Sequence, residues 1–322
     1  MPQEGRIVGL DVSKLKVDGC IRSVGLRRSE RSTPEGQAEM LSWLKANGVR
    51  LAVMEASGGY ERSWAKALHG GGMAVRIVDP KRVRHFAKSA GRLAKNDPID
   101  AEMIAWFAET FPDAPSQAQD VEREELAGLV KARLALLQIK TELGNQAEHQ
   151  QPRSVVKAFA AVTRSVDAQL ARLEAAIAAK IAAKERFAAR AEIIESVPGL
   201  ATQSAAGLIA WMPELGLIDD KAASALIGVA PYDDDSGKHR GERHIKGGRQ
   251  ALRTLLYMPV VGAATHHNPV LKAYYQRLRA KGKEGKVAII ACMRKLIVIL
   301  NAMLARGEKW DPARGRRSAA TA

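Results

Sequence analysis

The chain has 322 residues, enough for two or three domains with sizeable cores, and its 46% hydrophobic and 26% charged residues are globular values. An excess of 50 Lys and Arg over 35 Asp and Glu leaves a net charge of +15. That balance points to a polyanion, nucleic acid being the commonest, because each neutralised phosphate releases counterions. Cys20 and Cys292 are too few and too far apart for a disulfide framework or a thiolate metal site, which fits a reducing cytoplasm. MPQEGRIVGLDV has no basic segment leading into an apolar run, so no secretory signal is readable.

RIVGLDV, from Arg6, reads as a buried strand, LKVDGCIRSVG as an alternating strand leaving a turn, and Leu26 to Ser32 as a third, which suggests a meander. Thr33 as N-cap with Pro34 at the first helical position opens a helix that ends before Gly48. RLAVMEAS is the next strand; after GGY comes a helix to about His69, then MAVRIVDP as a strand, then helical segments from Lys81 and from Pro98. Three strands followed by alternating helix and strand predict an α/β layer with a mixed sheet over 1–115.

Over 116–190 strand signals vanish. Leu129, Leu136 and Leu143 recur at seven, and Val166, Leu170, Leu173, Ile177 and Ile181 step by four or three, each pattern giving a helix one apolar stripe. A helical hairpin broken near Pro152 follows, either an intramolecular bundle or a coiled-coil dimer, and the pattern does not choose. Over 191–310 the chain reads as mainly helical. ESVPGLATQSAAGLIAWM is helix, Pro-Gly turn, helix; APYDDDSGKHRGERHIKGGR is a polar loop; Gln250 to Ala264 and Leu271 to Leu304 are helical. The apolar run from Val287 carries Arg294 and Lys295 in its middle, so a buried helix is expected and no membrane span. Residues 311–322 read as a basic tail.

KNDPIDAEMIAWF concentrates acid in a basic chain. On local grounds Asp97, before Pro98, caps a helix and Asp100 lies in its first turn, where the exposed N–H groups favour carboxylates. Asp11 and Glu55, however, end apolar strands, where a carboxylate needs a partner. If those strands are neighbours the two acids repel, and a divalent cation relieves the repulsion; Asp97 and Asp100, on one helix face, would complete a cage of oxygen ligands suited to Mg²⁺ or Mn²⁺. Such ions hold the attacking and leaving oxygens of a phosphodiester displacement.

A second concentration of chemistry is DDDSGKHRGERHIKGGR, where Ser236 and Gly237 precede Lys238, Arg240, Arg243, Lys246 and Arg249. The plain reading is a surface loop with a serine at a turn; the functional one is a phosphate-binding loop whose hydroxyl needs activation to act as a nucleophile. GKEGK at Gly282 lacks the spacing of a P-loop and reads as a helix start whose Lys283 and Lys286 contact phosphate. His266 and His267 have no partner at metal-site spacing, so no zinc is expected.

GLDVSK, EASGGYE, KNDPIDA, PYDDDSG with LRTLLYMP, and RLRAKGKEGKVAIIACMRKL together resemble the insertion sequence 110 family, the DEDD-type transposases related to the Piv invertases and understood as bridge-RNA-guided recombinases. The resemblance covers nearly the whole chain. It implies an RNase H-like (RuvC-like) catalytic domain, a coiled-coil segment, and a C-terminal transposase domain with helix-hairpin-helix character, to which VPGLA is similar. It implies that Asp11, Glu55, Asp97 and Asp100 bind Mg²⁺, and that Ser236 attacks DNA to form a phosphoserine. It further implies a composite site between protomers, homodimers joined into a tetramer on double-stranded DNA, a structured guide RNA that selects target and donor, and a place in the cytoplasm at the nucleoid of a bacterium or archaeon. Departures from the family pattern are Asn96 and Ser57, each in place of a usual Thr, and Ala201 in place of the hairpin's second glycine. Two rival readings are a RuvC-like junction nuclease, in which metal-bound water attacks, and a basic nucleic-acid scaffold without catalysis.

Overall fold

The computed structural model describes residues 5–91, 97–113, 120–150, 152–232, 235–236, 239–240 and 243–312, with the backbone alone at 97–99, 235–236 and 239–240. The chain divides into two compact units, Met1–Asp120 and Val121–Ala322.

In the first unit β1 (Arg6–Val12), β2 (Lys16–Ile21) and β3 (Leu26–Arg31) form the expected meander. The chain continues through α1 (Pro34–Ala46), β4 (Val49–Glu55), α2 (Glu61–Gly70), β5 (Ala74–Val78), α3 (Pro80–Ser89) and α4 (Asp97–Thr110). The Thr33 hydroxyl accepts from Gly36 N–H and Asp79 accepts from Lys81 N–H, so α1 and α3 start where a polar cap precedes a proline. α4 opens at Asp97 itself, one residue before the capping reading placed it.

The sheet order is β3-β2-β1-β4-β5, with β1 parallel to β4, β4 parallel to β5, and the two meander pairs antiparallel. Strand alternation sends Val8, Leu10 and Val12 to one face, against Met40 and Leu44 of α1 and Trp64 and Leu68 of α2. Leu51, Val53 and Val78 go to the other, against Val83 of α3 and Ile104 and Phe107 of α4.

The second unit is mostly helical. It begins with α5 (Val121–Glu148) and α6 (Arg153–Ala182), broken at Pro152 as expected. They run antiparallel, as the pairs Glu125–Lys180, Arg133–Glu174 and Lys140–Asp167 show by their opposed numbering. α7 (Glu185–Glu195), α8 (Thr202–Trp211) and α9 (Asp220–Ile227) follow, the first two joined through Val197-Pro198-Gly199. At Gly199 the backbone has φ +97, and a Cβ there would meet that of Ala263 at 2.6 Å.

Beyond a strand-bearing loop come α10 (Gln250–Gly262), a π-helical turn over 263–267, α11 (Pro269–Ala280) and α12 (Gly285–Arg306). Leu126 and Val130 of α5 and Ile177 and Ile181 of α6 share one core with Ile194, Leu208, Leu256, Met293 and Leu300. Among the described residues α12 alone is long and apolar enough to cross a membrane, yet its Met293, Leu296, Ile297 and Leu300 are fully buried in that core.

Candidate active site

Asp11 lies on β1 one residue past the Leu10–Met54 pair, and Glu55 lies on β4 one residue past the same pair, so the two acids stand level with each other near the ends of adjacent parallel strands. By alternation they share the sheet face on which α4 packs, and Asp100 lies in the first turn of that helix. Burial pushes the Glu55 carboxyl up, Asp11 and then Asp100 push it further, Arg84 opposes and Asp79 adds, bringing it to about 7. Glu55 therefore feels two of the other three sequence-predicted acids through space. The Asp97 side chain lies outside the described residues. Among the described residues no three acids close into a finished ion cage. As donors, Asp11, Glu55 and Asp100 offer only hard oxygens and mutual repulsion, which fits a divalent cation.

Two features of this site have no clear sequence signature. The Glu61 carboxylate, 7% exposed, accepts from Ser57 N–H at 2.9 Å, Ser57 Oγ at 3.1 Å and Gly59 N–H at 2.8 Å. Burial works to raise its pKa, but these hydrogen bonds and its own backbone N–H outweigh that and hold it low. Glu61 thus fixes the loop that follows Glu55.

Gly9 is the other. A Cβ there would lie 2.1 Å from Ala101 carbonyl oxygen and 2.4 Å from Ala105 N, so only glycine lets α4 come this close to β1, with the small Ala101 and Ala105 facing it. Ion pairs from Arg27 to Glu102 and from Arg22 to Glu109, at 2.6 Å for the second, fix the helix from the meander side. Phe86 stacks edge-on against Trp106 and Phe107 from the α3 side.

The serine lies in the second unit. The expected polar loop is a hairpin: β6 (Pro231–Tyr232) pairs with β9 (His244–Ile245), and β7 (Asp235–Ser236) with β8 (His239–Arg240). Ser236 pairs with His239 at its tip, with its side chain outside the described residues. The strand signal is missing from the sequence because each strand has two residues, too few for alternation to register.

The neck of this hairpin is clasped. Gly228 and Gly248 both have positive φ, and a Cβ on Gly248 would stand 2.2 Å from Gly228 N. Arg249 N–H donates to Leu226 carbonyl at 2.7 Å, and Arg253 Nη1 donates to the carbonyls of Ile227, Gly228 and Gly247 at 2.9–3.2 Å.

Of the predicted phosphate contacts, Arg243, Lys246, Lys283 and Lys286 are exposed, whereas Lys238 and the Arg240 side chain lie outside the described residues. Arg249 faces inward: its guanidinium makes a bidentate pair with Glu214, at 2.7 and 2.6 Å, and donates to Trp211 carbonyl.

An acidic sheet face in a strongly basic chain is the arrangement of a metal-assisted nucleic-acid enzyme. Residues 8–150 match the DEDD-type transposase family defined on IS110, a class that depends on divalent metal, and residues 191–276 match the family described as Transposase IS116/IS110/IS902. The pilin gene-inverting proteins of Moraxella lacunata and Moraxella bovis are each 25% identical over 94% of this chain and 97% of their own length. The transposase for insertion sequence element IS1111A of Coxiella burnetii is 29% identical over 44% of this chain and 37% of its own. The chain belongs to the IS110 family of transposases. It is an enzyme of DNA transposition and recombination.

Proposed function

We propose that this transposase cuts and rejoins DNA through a serine ester, with Asp11, Glu55, Asp97 and Asp100 holding Mg²⁺ or Mn²⁺. The observation that supports the reading is the convergence of Asp11 and Asp100 on Glu55, raising it to about 7, since such a cluster is relieved by a divalent ion. When bound, the ion supplies charge to the phosphate under attack and to the oxygens entering and leaving.

The remaining work falls to this chain's own groups. Ser236 Oγ forms a bond to phosphorus, the bond from phosphorus to the leaving deoxyribose oxygen breaks, and the serine proton ends on that oxygen. The ester retains the phosphodiester linkage, so the freed end of a partner strand reverses the step and religates without a nucleotide cofactor. Arg243, Lys246, Lys283 and Lys286 hold backbone phosphates. Sequence choice belongs to a structured RNA that pairs with target and donor DNA, and homodimers built on α5 and α6 join as a tetramer, bringing the acids of one protomer to the serine of another.

The test uses the full chain with Mg²⁺, labelled DNA spanning the element junction, and the structured RNA from the element's non-coding end. A protein–DNA adduct that survives a denaturing gel is expected, and Ser236→Ala and Asp11→Asn should each abolish it. Strand cutting that persists in Ser236→Ala would mean that water, not serine, attacks.

A further inference from the structure

α12 carries a lysine where its apolar stripe has room for a hydrocarbon. Lys295 is 9% exposed and has Cys292, Met293, Leu296 and Ile297 as buried neighbours on the helix. Its Nζ stands 5.0 Å from the centre of the Tyr274 ring, which also receives the Arg277 guanidinium at 5.1 Å. Among the described residues no carboxylate pairs with Lys295, Arg277 or Arg294. Burial, then Arg277, lowers the Lys295 pKa, as expected of an ammonium without a counter-ion. A methionine would fill the same space at less cost, so the lysine is explained by an anion that arrives from outside.

The space in front of it has the matching shape. Lys295, Arg294 and Arg243 line a cavity of about 490 Å³, with Tyr274, Val287 and Ile290 among its apolar walls and no Asp or Glu lining it among the described residues. The volume lies within the range of about 300–1,000 Å³ usual for small-ligand sites. Pro231 and Ile245 also line it, and these two pair across the base of the hairpin that carries Ser236.

We infer that this cavity is a backbone-phosphate site, in which Lys295, flanked by Arg294 and Arg243, takes one phosphodiester of a nucleic-acid strand entering at the base of the serine hairpin. It rests on the proposed function only in taking nucleic acid as the bound polymer. Tyr274 and the apolar wall face the sugar, and the three cations replace the counterions that the strand releases. The strand is DNA or RNA, which share this chemistry.

The test measures binding of the full chain to a fluorescein-labelled DNA duplex and to an RNA stem-loop of matching length, across a NaCl titration. Lys295→Met keeps the bulk and removes the charge; Val287→Glu sets a carboxylate on a half-exposed wall outside the buried core. Both variants should bind several-fold to about tenfold more weakly on at least one probe, and Lys295→Met should lower the salt slope by about 0.7–0.9, the contribution of one phosphate. The probe that responds identifies the strand.

The melting temperature of Lys295→Met should be equal to or above that of the wild type, since an unpaired buried charge is gone. Wild-type affinity and slope on both probes in either folded variant would overturn the site; a Lys295→Met chain that fails to fold leaves Val287→Glu to decide. Failure of the serine chemistry would leave these measurements untouched, because Ser236→Ala removes the covalent adduct and not the phosphate affinity.

Discussion

A carboxyl that titrates near neutrality gives Glu55 a signature in the metal-free protein. The folded state holds the Glu55 proton up to about pH 7, whereas the unfolded chain releases it near 4.5. Over that window the native state binds more protons than the unfolded one, so stability falls as pH rises. Thermal melts in chelator should show a declining midpoint from pH 5 to 8, flattened in Glu55→Gln, and Mg²⁺ should restore the midpoint mainly above pH 7. A midpoint that rises over this range would contradict the acid cluster. At this scale Asp11 and Glu55 were legible because each interrupts an apolar strand. Glu61 was not: it follows Tyr60 like any helix-start acid, and nothing in the order of residues tells that it folds back onto Ser57 and Gly59.

At the scale of elements, α4 is held to β1 by the absence of a side chain. Gly9→Val would drive methyl groups into the Ala101 carbonyl and lift the helix, at a cost of about 1–3 kcal/mol for overpacking. Asp100 would move away from Glu55, so the Glu55 carboxyl should titrate lower than in the wild type by NMR, and DNA cutting should fall by about 100-fold for each ångström of displacement. Unchanged cutting in a folded Gly9→Val chain would show that α4 contributes nothing to the chemistry. The strands and helices of this unit were readable from caps, prolines and alternation, including Thr33-Pro34 and Asp79-Pro80. The hairpin around Ser236 was misread as a loop because its polarity and two-residue strands carry no period.

For the molecule as a whole, the net charge of +15 made a nucleic-acid partner the first expectation, and the family membership agrees. The helical segment expected as a separate stretch shares its core with the C-terminal part, since Leu126, Val130, Ile177 and Ile181 pack with α8 and α12 residues. Periodicity identifies a buried stripe; it carries no information on what buries it. The far ends of α5 and α6 leave Ile139, Val156 and Val162 43–49% exposed. These residues suit the proposed dimer contact, and Ile139→Glu with Val162→Glu should shift the wild-type mass toward that of a monomer in light scattering, with the melt unchanged.

The glycine clasp at 228 and 248 has a consequence for evolvability. Because Arg253 and the two glycines hold the ends of the serine hairpin together, a longer hairpin adds only the slowly growing closure entropy, about 0.6 kcal/mol for each doubling of its length. Each residue pair inserted above Tyr232 and His244 would extend the tip by about 3.3 Å while the helices beneath keep their packing. The reach of Ser236, the proposed nucleophile, is therefore a length that insertion or deletion can change while the scaffold that carries it stays the same.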